Sequence, residues 1–257
     1  METLSNRYYM ENFFSKNYWS VGFQSRLYDH LSPESYFESM QKVVAGLPDG
    51  NSLSLLDAGC GSGLLLRFLA DRIKEGMIYT GMDLLDSGVE ATRQRAEELG
   101  IAERVTCVQS DLASPLPVDA VKYDVVVGHF SLYTLASDEL RKFALENLKS
   151  VMQPEGLLVL VNPSVNYDAS LIIEQSIQLV GERYGPLVAF VKQYLVYPFT
   201  KAIGLRFIQK QLRLGIWKAY TREEFAQEIE RAGFEVQHVE EVYAGSAFWG
   251  IGRQVAN

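Results

Sequence analysis

Three aspartates in the first half of the chain each stand at the end of a short apolar run that predicts a β-strand. They are Asp57, Asp83 and Asp111. The carboxyl ends of neighbouring parallel strands meet at one edge of a sheet, so the three side chains are expected to face a common site. An ionised carboxylate accepts hydrogen bonds from hydroxyl and amino groups, which suits the recognition of a polar ligand.

The first of these acids opens the stretch Asp57-Ala58-Gly59-Cys60-Gly61-Ser62-Gly63. Alternate glycines predict a tight loop that a ligand can approach closely, with backbone N–H groups facing it and a helix from Leu64 to about Ile73. A dinucleotide fingerprint would require glycine where Leu64 stands, so another nucleotide is favoured. Asp83 lies 24 residues beyond Gly59, a separation at which a nucleotide-binding α/β unit places an acid on ribose hydroxyls.

The glycine loop resembles the first motif of class I S-adenosylmethionine (SAM) dependent methyltransferases, of the small-molecule type to which ubiquinone and menaquinone methyltransferases belong. The resemblance covers about 50–162 and 221–257. It implies an α/β fold, a doubly wound Rossmann-like sheet of seven mostly parallel strands with an antiparallel C-terminal strand pair, plus N-terminal and helical insert caps. It also implies SAM as cofactor and S-adenosylhomocysteine as product.

The same resemblance assigns roles to residues at the strand ends. Asp111 would accept a hydrogen bond from the adenine amino group, and the neighbouring backbone N–H, at Leu112, would bind the adenine ring. His129 ends the fourth predicted strand, where the family's sulfonium and acceptor lie. The full expected cofactor-binding set is Asp57, Gly59, Cys60, Gly61, Gly63, Asp83, Leu84, Asp111, Leu112 and His129.

Methyl transfer from a sulfonium depends mainly on alignment, and a base is needed only when the acceptor carries a proton. His129 is the first catalytic candidate, either as that base or as a contact to the methionine part of SAM. Tyr28 and Tyr133 are the next. The segment around His129 departs from the Asn-Pro-Pro-aromatic motif of enzymes that methylate adenine or glutamine amines, so those substrates are not expected. No metal site is expected, because Cys60 and Cys107 have no partners at ligand spacing.

The chain is expected to divide into an aromatic N-terminal helical lid (1–46), a SAM-binding core (47–164), a helical cap insert (165–220) and a C-terminal completion of the core (221–257). The insert contains no acid between residues 183 and 218. Three interpretations remain open: a solvated cap or oligomer contact, a cap over an apolar acceptor pocket, or an interfacial helix touching anionic lipid. The seven basic residues of this stretch are Arg183, Lys192, Lys201, Arg206, Lys210, Arg213 and Lys218.

The 257 residues carry a net charge of −8. This argues against a nucleic-acid partner, because a protein that binds the phosphate backbone needs a surplus of basic residues. Neither a secretory signal nor a membrane-spanning apolar run is recognised. The expected location is therefore cytoplasmic. Peripheral membrane contact through the basic insert and a homodimer are left open.

The sequence predicts a methyltransferase that acts on an O, N or C atom of a small, apolar or aromatic metabolite. Two alternatives remain. One is a NAD-type oxidoreductase with a similar sheet. Leu64, in place of the third glycine, and the absence of an evident Tyr-x-x-x-Lys arrangement argue against it. The other is a non-catalytic SAM-binding protein that keeps the loop and acids without an acceptor pocket.

Overall fold

The computed structural model describes residues 27–50, 52–116 and 122–255, with the backbone only at residues 27 and 28. Its seven strands form one sheet in the order β3-β2-β1-β4-β5-β7-β6. Neighbours among β1 to β5 run parallel, and β7 runs antiparallel to both β5 and β6. The predicted fold class is confirmed. The strands are β1 Ser54–Ala58, β2 Ile78–Asp83, β3 Val105–Gln109, β4 Tyr123–His129, β5 Met152–Pro163, β6 Phe234–Val242 and β7 Ala247–Gln254.

Helices connect the strands and cover the sheet. Two π-helical segments, Lys192–Val196 and Thr200–Leu205, keep the chain helical through the insert, and 3-10 turns lie at Ala102–Arg104 and Leu132–Thr134. The α-helices are α1 Leu27–Leu31, α2 Glu34–Ala45, α3 Leu66–Glu75, α4 Asp86–Glu98, α5 Asp138–Ser150, α6 Ala169–Tyr184, α7 Pro186–Val191, α8 Tyr197–Phe199, α9 Arg206–Arg213 and α10 Arg222–Arg231.

The hydrophobic core lies along the central strands. Leu55 and Leu56 in β1, residues 125–127 in β4 and residues 158–161 in β5 are almost fully buried. Unbroken apolar runs of this kind are typical of parallel strands covered by helices on both faces. These buried residues directly precede the strand ends where the candidate site lies, so the core supports the site.

Local sequence signals mark several helix ends. The Thr221 hydroxyl accepts a hydrogen bond from the Glu224 N–H at 3.2 Å, and the Glu224 carboxylate accepts one from the Thr221 N–H at 3.0 Å, so the two residues form a capping box. Helix α2 begins at Glu34, because Pro33 keeps an extended backbone and is itself the cap residue. Helix α3 begins two residues later than expected, after tight turns that close at Leu66.

Within the part of the chain that the structure describes, no helix combines the length and the apolar composition needed to cross a membrane. The division into lid, core, cap and C-terminal completion stays a prediction. Residues 1–26 of the predicted lid lie outside the described residues.

Candidate functional site

The glycine loop after β1 is held against the end of β2. The N–H groups of Gly59 and Cys60 both donate to the Met82 carbonyl, at 2.7 and 3.0 Å, and the Gly61 N–H donates to Asp83 Oδ2 at 2.9 Å. The sequence led us to expect that the loop's N–H groups would face a ligand. That expectation is wrong for these three, because β2 already engages them and thereby fixes the shape of the loop.

Two positions in the loop accept only glycine. Gly59 has φ +93°, and a Cβ there would lie 2.3 Å from the Ser131 Cβ. Gly63 has φ +69°, and a Cβ there would lie 3.0 Å from three atoms of Thr92. Because Ser131 follows β4, the first contact joins the loops after β1 and β4 at one edge of the sheet. Ser131 was not recognised as a site residue from the sequence, where an isolated serine gives no signal.

Two buried carboxylates lie below this loop. Asp57 accepts a hydrogen bond from the Tyr79 hydroxyl at 2.6 Å, and burial, reinforced by the nearby Asp83, raises its pKa to about 7. The Asp83 carboxylate accepts hydrogen bonds from the N–H groups of Gly61 and Leu85. Burial raises the pKa of Asp83 as well. Among the described residues neither carboxylate has a cationic partner. A ligand that brings positive charge to this edge would therefore be stabilised by both.

The remaining expected cofactor residues lie at neighbouring strand ends. Leu84 follows Asp83 and is 41% exposed, so its side chain is available to a ligand. Asp111 follows β3, and its carboxylate caps the adjoining turn by accepting from the Ala113 N–H at 2.9 Å. Leu112 is half-buried against the core. These positions follow the predicted order of strand ends, but their roles in binding stay predictions.

His129 ends β4 and is packed beneath α2. Its Nε2 lies 2.9 Å from the Ser39 Oγ in a hydrogen bond, and its ring meets Tyr36 and Phe130 edge to face at 4.8 and 4.9 Å. Burial lowers the pKa of His129 to about 3, which leaves the imidazole neutral. Its Nδ1 has no hydrogen-bond partner among the described residues. A ring so placed is a poor proton acceptor in this conformation, and its catalytic role stays a prediction.

The two tyrosine candidates differ in what can be said of them. Tyr133 is buried and packs edge to face on Trp217 at 5.5 Å. Tyr28 lies in α1, but its side chain is outside the described part of the chain. Cys60 is buried within the glycine loop, where the Thr92 hydroxyl donates to its sulfur at 3.4 Å.

Three rings from distant parts of the chain form a cluster at the same edge, which we call the aromatic wall: Tyr36, Phe130 and Tyr243. Tyr36 and Phe130 are stacked at 5.7 Å, and Tyr243 lies 5.3 Å from Phe130. Phe130 and Tyr243 have φ of 52° and 59°, a left-handed backbone that is unfavourable for non-glycine residues and is often found at functional sites. No local sequence pattern predicted this cluster, because Tyr243 belongs to the β6–β7 turn.

Asp29 ties α1 to the glycine loop and to α4. Its carboxylate accepts from the Ser62 hydroxyl at 3.0 Å and forms an ion pair with Arg95, whose Nε donates to the Ser62 carbonyl at 2.8 Å. The Asp29 and Arg95 side chains are only 13% and 8% exposed. We call this group the loop latch. The contact of Asp29 with Arg95 was not predicted, because Arg95 lies in a helix rich in charged residues.

Stability should depend on pH through His129. The folded pKa of about 3 lies below the ordinary 6.5, so the unfolded chain takes up the proton first as the pH falls. The free energy of unfolding should therefore decrease between pH 6.5 and 3, by up to ~1.4 kcal/mol per pH unit from this group. Denaturant unfolding should show that the free energy of unfolding changes less steeply with pH in His129→Gln than in the unchanged protein. His238→Gln, at an exposed histidine, is the control, and an equal slope in all three proteins would contradict the assignment.

The comparisons with known proteins agree with this geometry. Residues 55–156 match the family model described as "Methyltransferase domain". The ubiquinone biosynthesis O-methyltransferase of Rickettsia felis is 27% identical over 146 residues, which cover 57% of this chain and 56% of that protein. The release factor glutamine methyltransferase of Chlorobaculum tepidum is 33% identical over 94 residues, which cover 35% of this chain and 32% of that protein. The matches thus span about a third to just over half of these relatives' length.

Among solved structures, a SAM-dependent methyltransferase from Aquifex aeolicus has a TM-score of 0.61 at 18% identity, covering 90% of this chain and 98% of that one. This similarity concerns the fold. Residues 55–156 thus form a methyltransferase domain, and the seven-stranded fold and the glycine loop braced by a strand-end acid support a class I SAM-dependent methyltransferase.

Proposed function

We propose that this protein transfers a methyl group from SAM to an O, N or C atom of a small apolar or aromatic molecule. The observation that carries the proposal is the edge at which the glycine loop, the buried Asp83 and Ser131 meet. SAM is the cofactor of the family, and it is a cation with ribose hydroxyls. The carboxylates of Asp57 and Asp83, both with raised pKa and without a cationic partner among the described residues, fit such a ligand.

When bound, SAM supplies a methyl group on an electrophilic sulfonium. The chain's own part is then to bind, align and exclude water. Asp83 would accept from the ribose hydroxyls through the lone pairs that Gly61 and Leu85 leave open, and Leu84 would cover the nucleoside. The strand-end loops after β1 and β4, which touch at Gly59 and Ser131, would fix the direction from which the acceptor approaches.

The aromatic wall supports an apolar or aromatic acceptor. Stacking between a flat ligand and the half-buried rings of Tyr36 or Phe130 is favourable in offset and edge-to-face geometries, and the buried Tyr243 packs against Phe130. The Rickettsia felis relative is an O-methyltransferase of ubiquinone biosynthesis, which supports a ring-bearing acceptor. For the present chain we propose the broader class, a small ring-bearing molecule. The helical insert, 165–220, would cap this acceptor side, since it leaves β5 at the same edge.

Partners and location belong to the same proposal. The net charge of −8 supports a small molecule rather than a nucleic acid as the acceptor. We propose a cytoplasmic enzyme. Self-association into a homodimer is testable by analytical ultracentrifugation, and peripheral contact with a membrane has a distinct structural basis in the insert.

Thermal stability with three ligands tests the cofactor. SAM and S-adenosylhomocysteine at about 100 times their dissociation constants should stabilise the protein by ~2.7 kcal/mol, while NAD should not. Stabilisation by NAD alone would establish the oxidoreductase alternative. Methyl transfer from isotopically labelled SAM to phenolic, quinone and lipid extracts then separates an enzyme from a non-catalytic SAM-binding protein, which would bind without transfer.

Binding of SAM should release protons. A cation beside Asp57 lowers the pKa of its carboxyl from about 7, so at a pH just below that value the bound form holds fewer protons and affinity rises with pH. Calorimetry in two buffers of different ionisation enthalpy should give different apparent heats. Asp57→Asn should reduce the difference between the two heats. S-adenosylhomocysteine, which lacks the sulfonium charge, should also give a smaller difference than SAM in the unchanged protein. Identical heats in both buffers would contradict this coupling.

A further inference from the structure

The helical stretch from Pro186 to Arg213 exposes a large apolar surface in its first two thirds. Leu187 and Leu195 are 76% and 66% exposed, and Phe190 and Tyr194 lie together with ring centroids 4.7 Å apart. Proteins seldom leave this much apolar surface in water unless it meets a partner or a membrane. We call this surface the apolar face. Its members are Leu187, Phe190, Val191, Tyr194, Leu195, Phe199 and Ile203.

The outward side of the same stretch becomes basic in α9. Arg206, Lys210 and Arg213 are all exposed, and their spacing of four and three residues places them on one side of the helix. Among the described residues these three form no ion pair. We call them the basic end. By contrast, Arg183 and Lys192 both pair with the buried Glu34, so those two charges are used within the fold.

We propose that this stretch binds the surface of an anionic lipid bilayer, with the apolar face in the boundary between headgroups and acyl chains and the basic end on the lipid phosphates. Helices that lie in a membrane interface combine these two features. Charge complementarity favours this partner. No acid occurs between residues 183 and 218, although the whole chain carries −8. The inference stands apart from methyl transfer, because it uses none of the residues of the candidate site.

A second copy of the chain fits this surface less well. In a two-fold dimer through this surface, parallel stretches would bring the two basic ends together, where like charges repel, and antiparallel stretches would place each basic end beside the partner's apolar face, which supplies no opposite charge. A bilayer containing anionic lipid supplies the opposite charge at the required place. It also accepts the rings and aliphatic side chains without a shape-matched pocket.

The test is co-sedimentation of the full chain with vesicles of phosphatidylcholine, with and without phosphatidylglycerol. The unchanged protein should bind only the anionic vesicles, and added salt should weaken the binding. Arg206→Gln, Lys210→Gln and Arg213→Gln combined should lower partitioning roughly 100-fold, since three surface-bound charges are lost. Phe190→Ser with Leu195→Ser should also lower it.

Matched controls lie elsewhere on the protein. Lys74→Gln, Arg104→Gln and Lys142→Gln combined remove the same charge from exposed positions in other elements, and Phe143→Ser removes an apolar side chain that is also exposed. These variants should bind like the unchanged protein, and equal thermal melting of all variants shows that the fold is kept. Failure of the unchanged protein to bind anionic vesicles, or equal loss in the control triple variant, would overturn the proposal. So would a dimer, seen by ultracentrifugation, that Phe190→Ser with Leu195→Ser dissociates while vesicle binding persists.

Discussion

Replacing Asp83 with alanine is expected to weaken SAM binding at least tenfold while the protein stays folded. The carboxylate is buried beneath the glycine loop, and it would offer charge-assisted hydrogen bonds to the ribose hydroxyls, each worth ~1.5–3 kcal/mol. It also accepts from the Gly61 and Leu85 N–H groups. The alanine variant would therefore lose both the ligand contact and the group that shapes the loop.

Titration calorimetry with SAM measures this effect. Asp86→Ala, which removes an exposed acid three residues further on, is the control and should bind like the unchanged protein. Asp83→Asn keeps an oxygen acceptor and should fall between the two. An affinity in Asp83→Ala equal to that of the unchanged protein would remove Asp83 from the cofactor site.

A second large effect is expected from Asp29→Ala, which should lower the free energy of unfolding by ~3–5 kcal/mol. The reason is the loop latch. Without Asp29, the Arg95 guanidinium, whose side chain is 8% exposed, keeps its bond to the Ser62 carbonyl but loses its counter-charge. Uncompensated buried charge is far more costly than the loss of a surface ion pair. Equilibrium denaturation with urea gives the difference.

The same helix supplies a matched control for this variant. Glu90 pairs with Arg93 in α4, and both side chains are 50% exposed, so Glu90→Ala should cost less than ~1 kcal/mol. The double variant Asp29→Ala with Arg95→Met removes both buried charges and should recover much of the lost stability. Equal effects of Asp29→Ala and Glu90→Ala would show that the loop latch does not hold α1 to the core.

Much of the fold was predictable because its signals are local. Apolar runs, a Thr221–Glu224 capping box and turn glycines specify strands and helix ends over a few residues, and the C-terminal strand pair implied by the resemblance is present as β6 and β7. Asp57 and Asp83 were placed correctly at one edge of the sheet for a related reason. Parallel strands joined by crossover helices bring all their carboxyl ends to that edge.

The surroundings of His129 could not be predicted from the sequence. Its position at the end of β4 was predicted, but a strand end can open to a ligand or lie beneath a helix. Packing of α2 decides between them, since it brings Ser39 and Tyr36 onto the ring and excludes water. Burial then lowers the pKa of the imidazole to about 3, a change that depends on the fold around it rather than on its neighbours in the chain.

The sequence by itself determined the α/β class, the glycine loop and the acids at the strand ends, because each follows from periodicity or backbone conformation within a short stretch. Only the tertiary structure decided the aromatic wall, the loop latch and the engagement of the loop by β2. These depend on contacts between residues far apart in the chain, such as Tyr36 with Tyr243 or Asp29 with Arg95. Burial and charge pairing arise only when those segments pack together, and no local pattern encodes them.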